Sequence, residues 1–146
     1  MNDRTTHAAF FLRLALAATY FSAYAGRINL FGNRADGWER FLKYASEVNS
    51  WAPESIKTSL AISATILEIV ISILLLIGLR VRQVAIASGM LTFMFAMAMT
   101  YSYGVKEPLD YGVFVNFTAA FLLAMMPVHI WSVDQFLLNR KFMRKI

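Results

Sequence analysis

The chain of 146 residues contains no cysteine and few charged residues. Without cysteine it cannot form disulfides, thiolate metal sites, iron–sulfur clusters or a cysteine nucleophile. Charged residues make up 16% of the chain, whereas a soluble domain averages about 25%. Apolar residues make up 58%, and the mean hydropathy is +0.53. This composition indicates a membrane protein and argues against a disordered chain or a nucleic-acid-binding module.

The chain also has few histidines and none of the common catalytic motifs. The two histidines, His7 and His129, lie at the edges of apolar stretches, so a haem held by two histidines within the bilayer is not expected. The sequence has no glycine-rich phosphate loop, HExxH or GxSxG motif, and nothing in it predicts nucleotide binding or hydrolysis. We therefore expect no catalytic residue, haem, iron–sulfur cluster or metal. Any redox chemistry would belong to a bound quinone-like molecule or to a partner.

Four long apolar stretches dominate what is present. Each holds about 20 mostly apolar residues, the length that crosses a hydrocarbon core of roughly 30 Å. They run approximately over residues 8–26, 57–79, 83–103 and 110–128. Their polar positions are isolated, whereas soluble core helices of this length would show a polar face. We predict an all-α fold in which residues 1–146 form one membrane domain of four transmembrane helices in an antiparallel bundle.

The first span has a second interpretation. Arg4, the apolar run and the small residues Ala23 and Ala25 resemble a signal peptide with its cleavage site. Arg13 interrupts the apolar run, however, and we expect the segment to be retained as a span.

Two further helices are predicted outside the spans. Over residues 37–49, apolar side chains recur at helical spacing opposite charged ones, which predicts an amphipathic helix that lies at the interface or caps the bundle. Near the C-terminus, Ser132 and Gln135 have capping-box spacing, and a short basic amphipathic helix is predicted over residues 132–143. Asp110 is placed to cap the fourth span.

The cations give a weak indication of topology. The net charge of +5 comes from basic residues that are scattered or flank apolar runs, which favours contacts with anionic lipid headgroups over nucleic acid. An even number of spans puts both termini on one side. Arg80 and Arg82 lie in a short connection on that side, whereas the opposite cations are spread over a long one. We therefore expect both termini in the cytoplasm.

Glu68 is the main candidate site residue, because it lies in the middle of the second span. An ionised carboxylate near the bilayer midplane is costly unless it is paired, hydrated or protonated. Thr65 and Ser72 lie on the same helical face. One hypothesis is a functional carboxylate that lines a ligand pocket or a proton site. The other is a structural acid satisfied by Arg13 or by hydroxyls.

Arg13 begins a stripe on the first span that continues through Tyr20 and Tyr24. Its guanidinium could snorkel to the headgroups, which needs no partner. Alternatively it points inward and pairs with Glu68, with the tyrosine hydroxyls extending the polar network. A water or ligand headgroup between the two charges is a third arrangement.

A second group of polar residues marks the other end of the spans. Asn116, with Tyr103 and Asp110, could line an outward pocket. The tyrosines at this level are equally typical of an interfacial aromatic belt. We favour the belt and keep these residues as secondary ligand-binding candidates.

The sequence resembles the DoxX family of small four-helix membrane proteins. The resemblance rests on LRLAL around Arg13, on ATILEIVISILLLIGLRVRQVAIASG and on MFAMAMTYSYGVKEPLDYGVF. The chain departs from the family in AYAGRINLFG, where members carry a shorter run ending in a Lys-Leu-Phe-Gly-like motif that Arg27 and Asn29 match only approximately. The resemblance implies an antiparallel four-helix bundle in the bacterial cytoplasmic membrane. It also implies either a subunit of a membrane redox complex or an assembly factor for other membrane proteins.

Two functional hypotheses follow. In the first, the protein is an accessory subunit of a quinone-linked redox complex, non-catalytic by itself, and binds a quinone-like or lipidic molecule beside Glu68. In the second, it is an assembly or chaperone factor for a client membrane protein and has no small-molecule chemistry. The lipid bilayer is a partner in both.

Overall fold

The computed structural model of the protein describes residues 3–30, 32, 36–127 and 130–143. Within these ranges every regular element is a helix, as the sequence predicts. In chain order the helices are α1 (Asp3–Arg27), α2 (Gly37–Val48), α3 (Glu54–Ile77), α4 (Val81–Tyr103), α5 (Lys106–Asp110), α6 (Val113–Met125) and α7 (Val133–Met143).

Three of the described helices are long and apolar enough to cross a membrane. Their qualifying segments are Arg4–Arg27, Glu54–Ile77 and Val81–Tyr103. Large apolar side chains on these helices point away from the protein core, as a lipid environment requires. The chain is therefore an integral membrane protein with several membrane-length helices.

The fourth predicted span, residues 110–128, is shorter in the structure than the sequence suggests. Helix α6 has 13 residues, about 20 Å at a rise of roughly 1.5 Å per residue. Gly112 precedes it with a left-handed backbone (φ 63°) and no side chain caps the helix. The expectation that Asp110 caps this helix is wrong, because Asp110 belongs to α5 and forms an ion pair with Lys106.

Helices α1 and α3 pack tightly along their length. The Ser72 hydroxyl donates to the backbone carbonyl of Ala17 over 3.0 Å, and Leu16 and Leu75 are buried in the same core. Helix α3 ends at Gly78, whose left-handed backbone (φ 71°) returns the chain into α4. This hairpin and helix α7 share one end of the molecule, here named the α7 end.

Helices α4 and α6 run in opposite directions against each other. The rings of Phe93 and Phe117 lie 5.2 Å apart. One turn further along, Gly89 makes room for Phe121, since a Cβ at Gly89 would lie 2.7 Å from that ring. The absent side chain therefore sets how closely the two helices approach.

Helix α2 forms where the amphipathic pattern predicts it and lies across the opposite end, here named the α2 end. Gly37 sits directly on the C-terminus of α1, where a Cβ would be 2.5 Å from the carbonyl oxygen of Gly26. At its other end the Val48 carbonyl accepts a hydrogen bond of 2.7 Å from Ser102 of α4. The helix thus caps the bundle.

Helix α7 forms close to its predicted position and with the predicted cap. Ser132 Oγ accepts from the Gln135 backbone N–H over 3.1 Å, and Gln135 Oε1 accepts from the Trp131 N–H over 3.1 Å. The prediction of one amphipathic face is wrong, however. Phe136, Leu137 and Leu138 are consecutive and all exposed, so apolar groups cover more than half of the helix circumference. Of the predicted basic face, Lys141, Arg144 and Lys145 have side chains outside the described residues.

Candidate functional site

A cavity of about 400 Å³ lies at the α2 end of the bundle. Its walls come from helices α1, α2, α3, α4 and α6. Most of the lining is apolar, including Leu16, Leu60, Leu67, Leu91, Phe95 and Met99. Ligand pockets of small molecules typically have about 300–1,000 Å³ and apolar walls with a few polar groups. The size and lining of this cavity fit that description.

The polar part of the cavity is an ion pair between Arg27 and Glu68. Arg27 Nη1 donates to Glu68 Oε2, and Arg27 Nη2 donates to Glu68 Oε1 over 3.1 Å. The side chains are 12% and 4% exposed, respectively. Arg27 Nη1 also donates to Thr65 Oγ1 over 2.6 Å, and Thr65 in turn donates to the carbonyl of Ala61. The carboxylate is therefore paired and its charge neutralised within the membrane-spanning region.

The guanidinium of Arg27 keeps hydrogen-bonding capacity after these contacts. An arginine side chain has five N–H donors, and the three bonds to Thr65 and Glu68 use both hydrogens of Nη1 and one of Nη2. The Nε–H and the second Nη2 hydrogen have no acceptor among the described residues. Arg27 therefore has a fixed position and two N–H groups that no described residue engages.

Helix α2 covers the ion pair. The ring of Phe41 lies 3.6 Å from the guanidinium carbon of Arg27, a cation–π contact that holds the charge between the helices. Tyr44 also lines the cavity. Burial, followed by the nearby Glu107 and Tyr111, raises the pKa of the Tyr44 phenol. It is therefore protonated at neutral pH and able to donate a hydrogen bond.

Tyr20, also on α1, joins this helix to α4. Its hydroxyl lies 2.6 Å from Thr92 Oγ1, 2.8 Å from Ser88 Oγ and 2.9 Å from the Ser88 carbonyl oxygen. All three residues are buried. These hydrogen bonds fix the position of the Tyr20 ring, which forms part of the cavity lining.

Asn116 contributes a further amide to the cavity lining from α6. No hydrogen bond to another described residue engages its side chain. Among the secondary candidates it is thus the one that reaches the cavity. Tyr103 instead donates to Glu47 over 2.9 Å and stacks on Tyr44, and Asp110 pairs with Lys106.

The hypothesis that Arg13 pairs with Glu68 is wrong. Arg13 lies at the α7 end, 1% exposed, and its Nη2 donates to the carbonyl of Trp131 over 2.8 Å. Its Nε and Nη1 have no hydrogen-bond partner in the described part of the chain, and the ring of Phe10 lies 5.3 Å from its guanidinium carbon. Arg13 therefore holds the segment before α7 against the bundle and is not among the residues that line the cavity.

The remaining predicted residues divide between the cavity and its surroundings. Thr65 contacts the cavity cation directly, as described above. Ser72 lies deeper in α3 and binds the α1 backbone. Tyr24 is half-buried, with its ring 5.2 Å from that of Phe21, at the edge of the α1 face that lines the cavity.

Arg27, the partner of Glu68, was not among the site residues predicted from the sequence. The signal was present in the helical spacing, because Arg27 continues the predicted stripe three residues after Tyr24 and seven after Tyr20. Its position at the end of the apolar run favoured assignment to the loop, whereas α1 extends through Arg27. Among the described residues, no three histidine, aspartate or glutamate side chains come together as a metal site.

Comparison with family models gives a match over much of the chain. A family model described as DoxX matches residues 8–102, which cover most of α1, continue to nearly the end of α4 and contain both members of the ion pair. Neither a curated protein nor a solved structure matches the chain significantly.

Proposed function

The chain belongs to the DoxX family, and we propose that it binds a quinone-like molecule in the cavity beside Arg27 and Glu68, as an accessory subunit of a membrane redox complex. In this proposal the helices form a four-span antiparallel bundle in the bacterial cytoplasmic membrane. Both termini face the cytoplasm, so the cavity and α2 lie toward the opposite leaflet. A lipidic molecule with ester carbonyls would satisfy the same contacts.

The observation that carries the proposal is the pair of N–H groups on Arg27 that no described residue engages. A quinone has an apolar ring and carbonyl oxygens that accept hydrogen bonds. The apolar walls suit the ring, and the unengaged donors of Arg27 suit a carbonyl oxygen. Tyr44 and Asn116 add donors from other sides of the cavity.

The ion pair also suits a neutral ligand better than a charged one. Glu68 already balances Arg27, so an added anion or cation would leave one uncompensated charge in a region of low dielectric. A neutral carbonyl can take the remaining donors without disturbing that balance. The chain's own residues would bind and orient such a molecule, and the redox chemistry would be supplied by the quinone and a partner.

The proposal is tested by a substitution on α4 that places a larger side chain in the cavity. Ala98 lines the cavity, whereas Ala87 on the same helix is exposed toward the surroundings. Ala98→Phe adds a ring to the cavity, and Ala87→Phe makes the same change outside it. Binding of a short-chain benzoquinone to the purified protein is measured by tryptophan fluorescence quenching, since Trp51 lines the cavity.

We expect saturable quenching in the wild type and in Ala87→Phe, and its loss in Ala98→Phe. Equal quenching in all three proteins would contradict the proposal, because it would place the quinone outside the cavity. Absence of saturable quenching in the wild type, together with a partner chain that copurifies, would favour the assembly-factor alternative.

A further inference from the structure

A groove at the α7 end has a composition different from that of the cavity. Its volume is about 920 Å³, and it lies between the start of α4, the end of α6 and the first turns of α7. One wall carries Arg80, Arg82 and Gln83, and the other carries Met125, Leu137 and Leu138. The groove is therefore polar and cationic on one side and apolar on the other.

The two arginines lie at the boundary of the membrane in either orientation of the protein. They belong to the hairpin that joins α3, ending at Ile77, to α4, starting at Val81, and both helices are of membrane length. The turn between two adjacent spans lies at the level of the lipid headgroups. This placement does not depend on which side of the membrane the termini occupy.

Both guanidinium groups are available. The side chains of Arg80 and Arg82 are exposed, and neither forms a salt bridge with another residue in the described ranges. Elsewhere in the chain, Arg27 and Arg40 each have a carboxylate partner. Two neighbouring unpaired cations at headgroup level attract an anionic lipid.

The one carboxylate in the groove is already engaged. Asp134 Oδ1 accepts from the Arg80 backbone N–H, and Oδ2 accepts from the Val81 N–H, each over 2.8 Å. The carboxylate caps the N-terminus of α4, where the helix dipole offsets its charge. In the described part of the chain it forms no salt bridge with either arginine side chain.

The opposite wall matches the apolar part of a lipid. Met125 is 70% exposed and Leu138 67% exposed, and both line the same groove as the two arginines. Exposed apolar groups beside exposed cations fit an amphiphile that has a phosphate at one end and methylene chains at the other.

We propose that this groove is a binding site for an anionic phospholipid, with the phosphate held by Arg80 and Arg82 and the glycerol and first acyl methylenes on Met125, Leu137 and Leu138. A phosphate oxygen pair can accept from the planar fork of a guanidinium, which makes arginine suited to this role. The site is separate from the cavity at the α2 end and is independent of the proposed quinone binding.

The test uses native mass spectrometry of the full chain in detergent, titrated with phosphatidylglycerol or with phosphatidylcholine. The variant is Arg80→Asn combined with Arg82→Gln. Asparagine is chosen because Arg80 has a left-handed backbone (φ 50°) that asparagine tolerates. The control, Arg40→Gln combined with Lys43→Gln, removes the same charge from exposed positions on α2.

We expect the wild type and the control to prefer phosphatidylglycerol, and the variant to lose that preference by about thirtyfold, the effect of two interfacial cations. Arg82→Gln alone, which leaves the helical turn intact, is expected to lose about fivefold. Equal affinity of the wild type for the two lipids would overturn the proposal, and so would unchanged preference in the single and double variants. Displacement of the lipid by millimolar inorganic phosphate would also overturn it, because it would indicate a site for free phosphate.

Discussion

Arg27, the last residue of α1, reaches back into the bundle and pairs with Glu68 near the middle of α3. An arginine at the end of a membrane helix can extend to the headgroups at little cost. Here its guanidinium instead donates to both carboxylate oxygens and to Thr65 and lies under the ring of Phe41. The pair therefore links α1, α2 and α3 at the polar end of the cavity.

The two members of the pair should respond differently to substitution. Arg27→Gln leaves Glu68 in mid-helix without a cation, and loss of one partner of a buried pair costs roughly 3–5 kcal/mol. Glu68→Gln leaves an arginine that can turn outward to the headgroups, so we expect a smaller loss of stability. Thermal or denaturant unfolding in detergent measures the loss of stability in each of the two variants.

The double variant Arg27→Gln/Glu68→Gln provides the control for this pair. We expect it to be more stable than Arg27→Gln alone, since no charge remains unpaired. Strictly additive losses, or a larger loss for Glu68→Gln than for Arg27→Gln, would contradict the role assigned to the pair.

Gly78 should tolerate a methyl group much less well than Gly112. Both have left-handed backbones, with φ of 71° and 63°, so alanine strains the backbone similarly, by about 1–2 kcal/mol, at each. At Gly78 the new Cβ would also clash with Arg13 Nη1 and lie 2.5 Å from Ser132 Cβ, whereas at Gly112 nothing lies within 4 Å. We expect a clearly greater drop in unfolding temperature for Gly78→Ala. Equal drops would indicate that the contact with Arg13 and Ser132 is absent.

Arg13 should hold α7 in place. Its Nη2 bonds the carbonyl of Trp131, a residue held at φ 48° directly before α7. Arg13→Met keeps the apolar stem but removes this bond, so amide hydrogen exchange in α7 should accelerate while exchange in α2 stays unchanged. Arg4→Gln, at an exposed position on the same helix, is the control. Unchanged exchange in α7 of Arg13→Met would contradict the assignment.

Phe41 should control access to the cavity. The chain has no cysteine, so Ala64→Cys introduces a single thiol into the cavity lining. Adding Phe41→Ala removes the ring over Arg27, which is worth about 1–2 kcal/mol, and we expect several-fold faster labelling by a membrane-permeant thiol reagent. Trp38→Ala, a change at a more exposed position of α2, is the comparison. Labelling accelerated equally by both changes would argue against a specific role for Phe41.

Much of the fold follows from local sequence patterns. The amphipathic spacing located α2, and the Ser132–Gln135 spacing located the cap of α7. The fourth span was overestimated because hydropathy does not register backbone geometry. Gly112 adopts a left-handed conformation and separates Asp110 from α6.

Of the ion pair in the candidate site, the sequence predicted Glu68 but not its partner. Glu68 stood out because a carboxylate within an apolar run demands a partner. The identity of its partner depends on how far a side chain reaches, and Arg27 extends back along the bundle to Glu68. Arg13 was predicted as the partner because it lies within the first span. The true acceptor for Arg13, the Trp131 carbonyl, is a backbone atom in an irregular segment, and residue types carry no signal for it.

Native mass spectrometry of protein released gently from its own membrane shows whether the cavity beside Arg27 and Glu68 holds a quinone-like molecule. We expect one quinone-sized molecule per chain in the wild type and in Ala87→Phe, and none in Ala98→Phe. A bare wild-type chain, or a molecule retained equally by Ala98→Phe, would contradict the proposed binding site.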